Sequence, residues 1–143
     1  MMREILFRGQ TRKYGEKVRM NGDKVPSNWV YGGVCQGAGN HSIIYGNDDV
    51  ELKKPTEKWV VYTDTIGQFT GLTDKNGKKI FEGDIVEVKH DAFQGARGEV
   101  AVGYGCFMLK NVSNVLSLYG FLPWCEVIGN IHDNPELLEV DNG

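Results

Sequence analysis

The segment Thr65–Val88 has the sequence TIGQFTGLTDKNGKKIFEGDIVEV and sets much of the local structure of this chain. Apolar and polar residues alternate along it, as they do in a strand with one buried face. Asn76-Gly77 is a strong hairpin signal, because both central residues of a type I′ turn need a positive φ. Glu82-Gly83-Asp84 marks a second turn, which leads into the apolar run Ile85–Lys89. The segment therefore predicts a β-hairpin followed by another strand.

Further strand-like runs lie on both sides of this segment, with turn residues between them. Trp59–Tyr62 is apolar at every position and predicts a strand that is covered on both faces. The other predicted strands include Trp29–Tyr31, Ser42–Tyr45, Cys106–Leu109 and Cys125–Ile131. Near the C-terminus, Pro135–Leu138 predicts one short helical turn, because proline suits the first position of a helix.

Short strands at close spacing indicate a mainly β fold. The 143 residues predict a small SH3-like barrel core of short antiparallel strands, with an N-terminal β extension and the short C-terminal helical turn. We expect residues 1–58 to form an N-terminal β-rich region packed on the core, and residues 59–143 to form the barrel.

The composition is 41% hydrophobic and 24% charged, and the formal net charge is -3. A mildly acidic chain does not favour nucleic-acid binding, which usually requires a basic patch. No run approaches the roughly 20 apolar residues of a membrane span. The N-terminal run MMREILFRGQ is too short in apolar residues for a signal peptide, so we expect a cytoplasmic protein without a membrane partner.

The three cysteines, Cys35, Cys106 and Cys125, are far apart and lack the spacing of a zinc ribbon. We expect buried, reduced thiols. The histidines His41, His90 and His132 have no metal-ligand spacing either, and no phosphate-binding loop is present. The sequence therefore predicts no metal, no cofactor and no catalytic residue.

Two groups of residues leave alternatives open. Glu82, Asp84 and His132 could form the acidic site of a small enzyme, although turn hydrogen bonds explain the carboxylates more simply. The cationic residues that could contact phosphates in a nucleic-acid complex are Arg3, Arg8, Arg12, Lys13, Lys75, Lys78 and Lys79. Aromatic residues such as Trp124 should lie mostly in the core, but a few of them beside Lys or Arg on an exposed face would allow base stacking.

Three segments give the chain a resemblance to a known family: MREILFRG near the N-terminus, the block Thr65–Val88, and EVIGNIHDNPELLE at Glu126–Glu139. On these segments it resembles the YopX family of phage and prophage proteins. The resemblance implies a small, mostly β protein, a location in the cytoplasm of a bacterial host and a tendency to form homo-oligomers. It brings no catalytic motif.

The favoured hypothesis is therefore a non-enzymatic phage accessory protein that binds or assembles with a phage or host protein. A nucleic-acid-binding β-barrel protein is the first alternative, and a small enzyme with an acidic site is the second.

Overall fold

The computed structural model of the protein describes residues 4–11, 19–20, 23–24, 29–37, 39–46, 57–90, 96–103, 105–111 and 115–138. They form antiparallel sheets with short 3₁₀ helices, so the predicted mainly β class is confirmed. The chain folds into two compact units that divide between Gln68 and Phe69. We call Glu4–Gln68 the N-terminal unit, and the part from Phe69 onward the C-terminal unit.

The N-terminal unit contains one large antiparallel sheet and a separate two-stranded sheet. Its strands are β1 (Phe7–Gln10), β2 (Arg19–Met20), β3 (Asp23–Lys24), β4 (Trp29–Cys35), β5 (His41–Gly46), β6 (Glu57–Tyr62) and the start of β7 (Gly67–Thr73). Neighbouring strands of the sheet hydrogen bond in the order β6-β5-β4-β1-β7, and β2 pairs with β3. A 3₁₀ helix, Thr63–Thr65, joins β6 to β7.

This sheet curls until β6 contacts β1, although two strands lie between them in the hydrogen-bonded order. The close approach occurs at Gly9, where an added Cβ would lie 2.9 Å from Cγ2 of the fully buried Val61. A buried hydrogen bond of 2.8 Å from the Gln10 N–H to Thr65 Oγ1 joins the end of β1 to the 3₁₀ helix. Glycine is needed at position 9 because a larger residue would push the two strands apart.

The prediction that Trp59–Tyr62 is covered on both faces is wrong. Val61 is buried, but Trp59 is 42% exposed and Val60 is 61% exposed. Strand β6 is one end of the hydrogen-bonded order, so among the described strands it hydrogen bonds only with β5. An edge position explains the apolar exposure that the sequence alone does not show.

The C-terminal unit contains the rest of β7, its partner strand β8 and a five-stranded antiparallel sheet. Its strands are β8 (Lys79–Phe81), β9 (Asp84–Val88), β10 (Ala96–Gly103), β11 (Cys106–Lys110), β12 (Val115–Ser117) and β13 (Cys125–Asn130). The five-stranded sheet has the order β12-β11-β10-β9-β13. Two 3₁₀ helices, Tyr119–Trp124 and Pro135–Leu138, flank β13, and the second contacts β10.

Apolar side chains from the five-stranded sheet, from β8 and from the residue before the 3₁₀ helix Tyr119–Trp124 form the core of the C-terminal unit. The buried members are Ile80, Val86, Val88, Val100, Leu109, Leu118 and Cys125. Along β10, the buried positions Gly98 and Val100 alternate with half-buried or exposed residues, as expected for a strand with one solvated face.

The hairpin β7–β8 is confirmed, but its turn differs from the predicted two-residue type I′ turn. The N–H of Gly77 donates to the Asp74 carbonyl at 3.0 Å, and the Asp74 N–H donates to the Lys78 carbonyl at 2.8 Å. Gly77 has a φ of +81°. Together these features define a three-residue loop, Lys75–Gly77, which ends on a left-handed glycine.

The predicted barrel is not closed. In the C-terminal unit, β12 and β13 are the two ends of the sheet order and do not pair with each other. The chain between them forms the 3₁₀ helix Tyr119–Trp124, which contains Pro123, in place of a connecting strand. Within the described ranges, no helix has the length and apolar character to cross a membrane.

Candidate functional site

Asp74 is a structural residue of the central block. It is buried, and its Oδ1 accepts hydrogen bonds from the N–H groups of Asn76 at 2.8 Å and Lys78 at 3.0 Å. Its Oδ2 accepts the Val127 N–H at 2.9 Å. Desolvation raises the pKa of Asp74, but the backbone hydrogen bonds from Val127, Lys78 and Asn76 outweigh it and hold the pKa below its ordinary value. The carboxylate is therefore charged and fully engaged.

The same turn attaches the β7–β8 hairpin to the outer edge of β13. The N–H of Lys75 donates to the Cys125 carbonyl at 3.0 Å, two residues along the strand from the Asp74–Val127 bond. An otherwise open edge of the sheet is thereby closed by a turn.

The three residues of the predicted acidic site lie on adjacent turns. The Ile131 N–H donates to the Gly83 carbonyl at 2.9 Å, which brings the turn that contains His132 beside the turn of Glu82 and Asp84. Asp84, however, is 1% exposed, and its Oδ2 accepts the Phe81 N–H at 2.7 Å. Its carboxylate stabilises a turn and offers no open acid or base to a substrate. Among the described residues, no group of His, Cys, Asp and Glu is arranged to hold a metal ion.

The cysteines differ in their environment. Cys125 is buried, and desolvation together with the nearby Asp74 charge raises the pKa of its thiol to about 11. It is therefore a protonated core thiol at neutral pH. Cys35 and Cys106 are exposed, so the expectation of three buried thiols is wrong for these two. Cys106 pairs with Gly103 at the end of the β10–β11 hairpin, next to the turn, and its side chain is exposed there.

The cationic residues suggested for phosphate contacts are spread over several environments. Arg3, Arg12 and Lys13 lie outside the described residues. Arg8 is buried, with its guanidinium carbon 4.5 Å from the centre of the Trp29 ring.

The three lysines lie together on the β7–β8 hairpin. Nζ of Lys75 is 3.7 Å from Glu126 Oε2, and Nζ of Lys79 lies 5.3 Å from the centre of the Phe69 ring. Lys78 is exposed. The hairpin thus brings together three of the lysines suggested for phosphate contacts, and Lys75 already lies near the carboxylate of Glu126.

An aromatic surface lies on the C-terminal unit, around the 3₁₀ helix Tyr119–Trp124. Its members are His90, Tyr119, Phe121 and Trp124. Tyr119 is 74% exposed and Trp124 is 38% exposed. The His90 ring meets the Trp124 ring edge to face, with centroids 4.6 Å apart, and meets the Phe121 ring at 6.4 Å.

The backbone holds this surface on the core. The fully buried Leu118 precedes the helix, and its carbonyl accepts the Phe121 N–H at 3.2 Å. At the other end, the Lys89 N–H donates to the Trp124 carbonyl at 2.9 Å. The exposed rings therefore project from a segment that is fixed at both ends.

The charges beside the aromatic surface are paired. Lys89 Nζ lies 2.8 Å from Glu126 Oε2, and this hydrogen bond lowers the pKa of Glu126 and raises that of Lys89. Lys89, which is next to His90 in the chain, is therefore already paired with a carboxylate.

The sequence indicated Trp124 only as one of many aromatic residues and did not single out His90, Tyr119 or Phe121. The sequence features that could have indicated this surface are Gly120 and Pro123, which interrupt the strand pattern after Val115. These residues favour a tight turn, and a tight turn can expose rings that a strand would bury.

A model of the YopX family, described as YopX protein, matches residues 21–139, which is most of the chain. The chain is also similar to protein EF1440 from Enterococcus faecalis, known from a crystal structure. The two are 33% identical over 68% of this chain and 75% of that chain, with a TM-score of 0.43. No curated protein matches the chain. On the extent of the family match, the chain belongs to the YopX family.

Proposed function

We propose that this protein is a non-enzymatic binding protein, and that its aromatic surface binds an extended segment of a protein partner. The observation that carries this proposal is the exposure of Tyr119 and Trp124, 74% and 38%, on a short helix fixed to the core. Exposed, rigid aromatic side chains are the typical anchors of protein interfaces.

The environment of the titratable residues supports a role without catalysis. Asp74 and Asp84 are buried and accept backbone hydrogen bonds, and Cys125 is a core thiol whose pKa is about 11. Each group has a structural partner and a protonation state unsuited to general acid–base or nucleophilic work at neutral pH.

A protein partner suits the charges better than a nucleic acid. The net charge is -3, and Lys89, the cation beside the rings, is hydrogen bonded to Glu126. A phosphate would have to displace that carboxylate. The aromatic rings alone would still suit base stacking, so nucleic-acid binding is the second candidate.

We also propose an SH3-like arrangement of the C-terminal unit and a role for the protein in phage or prophage biology. An SH3-like arrangement of the C-terminal unit is supported by its sheet order, in which β13 lies beside β9 and directly follows a 3₁₀ helix. A role as a phage or prophage accessory protein in the bacterial cytoplasm is supported by membership of the YopX family.

Selection of a randomised peptide library against the purified protein tests the proposal. Peptides that bind the wild type should bind Tyr119→Ala about tenfold or more weakly, because an interface anchor is lost. Val102→Ala, at another exposed site of the same unit, is the matched control and should bind normally. Trp124→Phe is a second variant. It keeps a smaller ring at the partly buried position and should also bind the peptides more weakly than the wild type.

Fluorescein-labelled oligothymidine is the second probe. Binding that depends on Tyr119 and falls steeply between about 50 and 200 mM salt would replace the protein partner with nucleic acid. Peptides that bind Tyr119→Ala and Trp124→Phe as tightly as the wild type would overturn the assigned surface.

A further inference from the structure

The dipeptide Asn76-Gly77 in the loop of the β7–β8 hairpin has a chemical property besides its turn geometry, because asparagine followed by glycine is prone to deamidation. Glycine has no Cβ, so its backbone nitrogen is unhindered next to the asparagine side chain. Both residues are exposed. The reaction at this site needs no reactant other than solvent water.

Deamidation begins when the backbone nitrogen of Gly77 attacks the side-chain amide carbon of Asn76. A bond forms between Gly77 N and Asn76 Cγ, the Cγ–Nδ2 bond breaks, and ammonia leaves with the proton of the Gly77 nitrogen. Water then opens the resulting succinimide ring at one of its two carbonyl groups. The products are aspartate and isoaspartate at position 76, and in isoaspartate the backbone is one atom longer.

The folded turn ties down both peptide units that flank Asn76. The Asn76 N–H donates to Asp74 Oδ1 at 2.8 Å, and the Gly77 N–H donates to the Asp74 carbonyl at 3.0 Å. Peptide units are planar, so holding both of them fixes the backbone rotation that would bring the Gly77 nitrogen to Cγ. The proton that must leave the Gly77 nitrogen is also engaged by a carbonyl instead of by water.

Asp74 is itself held firmly. It is 6% exposed, and its Oδ2 accepts the Val127 N–H at 2.9 Å. Its own N–H donates to the Lys78 carbonyl at 2.8 Å, and the Lys78 N–H donates to Asp74 Oδ1 at 3.0 Å. The turn therefore opens only when several hydrogen bonds break together, which makes opening a rare local event.

We propose that Asn76 is a deamidation site that the folded turn protects, and that Asp74 is the residue that protects it. The reaction proceeds from the opened turn, so its rate measures opening of the β7–β8 hairpin. The products do not restore the turn. Isoaspartate lengthens the backbone inside a three-residue loop, and aspartate adds a carboxylate two residues from Asp74. A single opening is thereby converted into a permanent weakening of the attachment to β13.

Peptide mass spectrometry of the full chain tests this proposal. The protein is incubated at mildly alkaline pH, natively and in urea, and digested with a protease that cleaves after glutamate. The peptide of residues 58–82 contains Asn76 as its only asparagine. Asn76 should deamidate about tenfold or more slowly in the native protein than in urea, because the native reaction waits for the turn to open.

The same chain supplies two controls. In urea, Asn21-Gly22 should react as fast as Asn76-Gly77, since the dipeptide is the same. Asn130 is followed by Ile131, whose branched side chain hinders the attacking nitrogen, so it should stay intact under both conditions over the same period. A sample digested at time zero corrects for deamidation during digestion.

Two variants test the role of Asp74. Natively, Asp74→Ala should deamidate at Asn76 several-fold faster than the wild type, with its fold checked by circular dichroism. Asp74→Asn keeps an oxygen for the turn but loses the acceptor of the Val127 N–H, so its rate should lie between the two. If Asp74→Ala does not fold, the increase in Asp74→Asn decides the matter. The matched control Asp64→Ala should react like the wild type.

Three results would overturn the proposal. Equal rates at Asn76 in the native protein and in urea would show that the turn gives no protection. An Asn76 that stays intact in urea would show that it is not a deamidation site. Wild-type rates in the folded Asp74 variants would show that another residue holds the turn closed.

Discussion

The carboxylate of Asp74 accepts the backbone N–H of Val127 at 2.9 Å, from a position 53 residues earlier in the chain. This bond attaches the β7–β8 hairpin to the edge of β13. The central block of the sequence is thus a folding element with a long-range contact, and Asp74 is the residue that makes it.

Replacing Asp74 should destabilise the C-terminal unit. In Asp74→Ala, the Val127 N–H loses its acceptor, and the turn loses two more hydrogen bonds to a charged group. We expect a loss of about 2–4 kcal/mol in the free energy of unfolding, measured with urea. Asp64→Ala, which removes an exposed carboxylate, is the control and should change stability by less than about 0.5 kcal/mol. Equal stability of the two variants would show that the contact contributes little.

The same carboxylate should make stability depend on acid pH. The pKa of Asp74 in the folded protein lies below its ordinary value of 3.8. A lowered pKa contributes stability that is complete above the ordinary pKa and is lost as the pH falls through the folded pKa. Between about pH 5 and 2, the unfolding free energy of Asp74→Asn should therefore fall less steeply than that of the wild type. Parallel curves for the two proteins would contradict this assignment.

Gly9 and Val61 should be coupled. Gly9→Ala places a Cβ 2.9 Å from Val61 Cγ2 and should cost about 1–3 kcal/mol in unfolding free energy. Gly33→Ala in the same sheet is the matched control, since an added Cβ there meets nothing within 4 Å. The double variant Gly9→Ala, Val61→Ala should lose less unfolding free energy than the sum of the two single changes, because the smaller side chain at position 61 makes room for the added methyl group. Independent, additive effects of the two changes would argue against contact between β1 and β6.

The three thiols should react at different rates. Iodoacetamide at about pH 8 should alkylate the exposed Cys35 and Cys106 in the native protein and leave Cys125 intact, as located by mass spectrometry. Cys125 is 0% exposed and its pKa is about 11, so it should react only after denaturation. Modification of Cys125 at the rate of the other two would show that the core opens readily at this strand.

Local patterns in the sequence predict the strands well but the surfaces poorly. The hairpin β7–β8 follows from Asn76-Gly77 and the alternation around it, because a hairpin depends on neighbouring residues. Its turn type was wrong, since Asp74 supplies acceptors within the loop and favours a three-residue connection. The partner of Asp74 on β13 is far away in sequence, so no local pattern indicates it.

Exposure depends on where each strand lies in its sheet. Trp59 and Val60 have the sequence of a covered strand, but β6 lies at an edge. Tyr119 follows an apolar strand, but the chain turns into a 3₁₀ helix at that residue and leaves the ring in solvent. The prediction of a barrel was also not met by a closed sheet, because closure depends on pairing between strands that are distant in sequence.

The central claim is that the aromatic surface is the binding site, and mapping of a selected peptide by nuclear magnetic resonance tests it most directly. In a titration of the isotope-labelled protein, the backbone amide shifts should change along Leu118–Trp124 and at His90. The amides of β4 and β5 in the N-terminal unit should stay unchanged. Shifts that leave the 3₁₀ helix unaffected and lie elsewhere on the protein would contradict the claim.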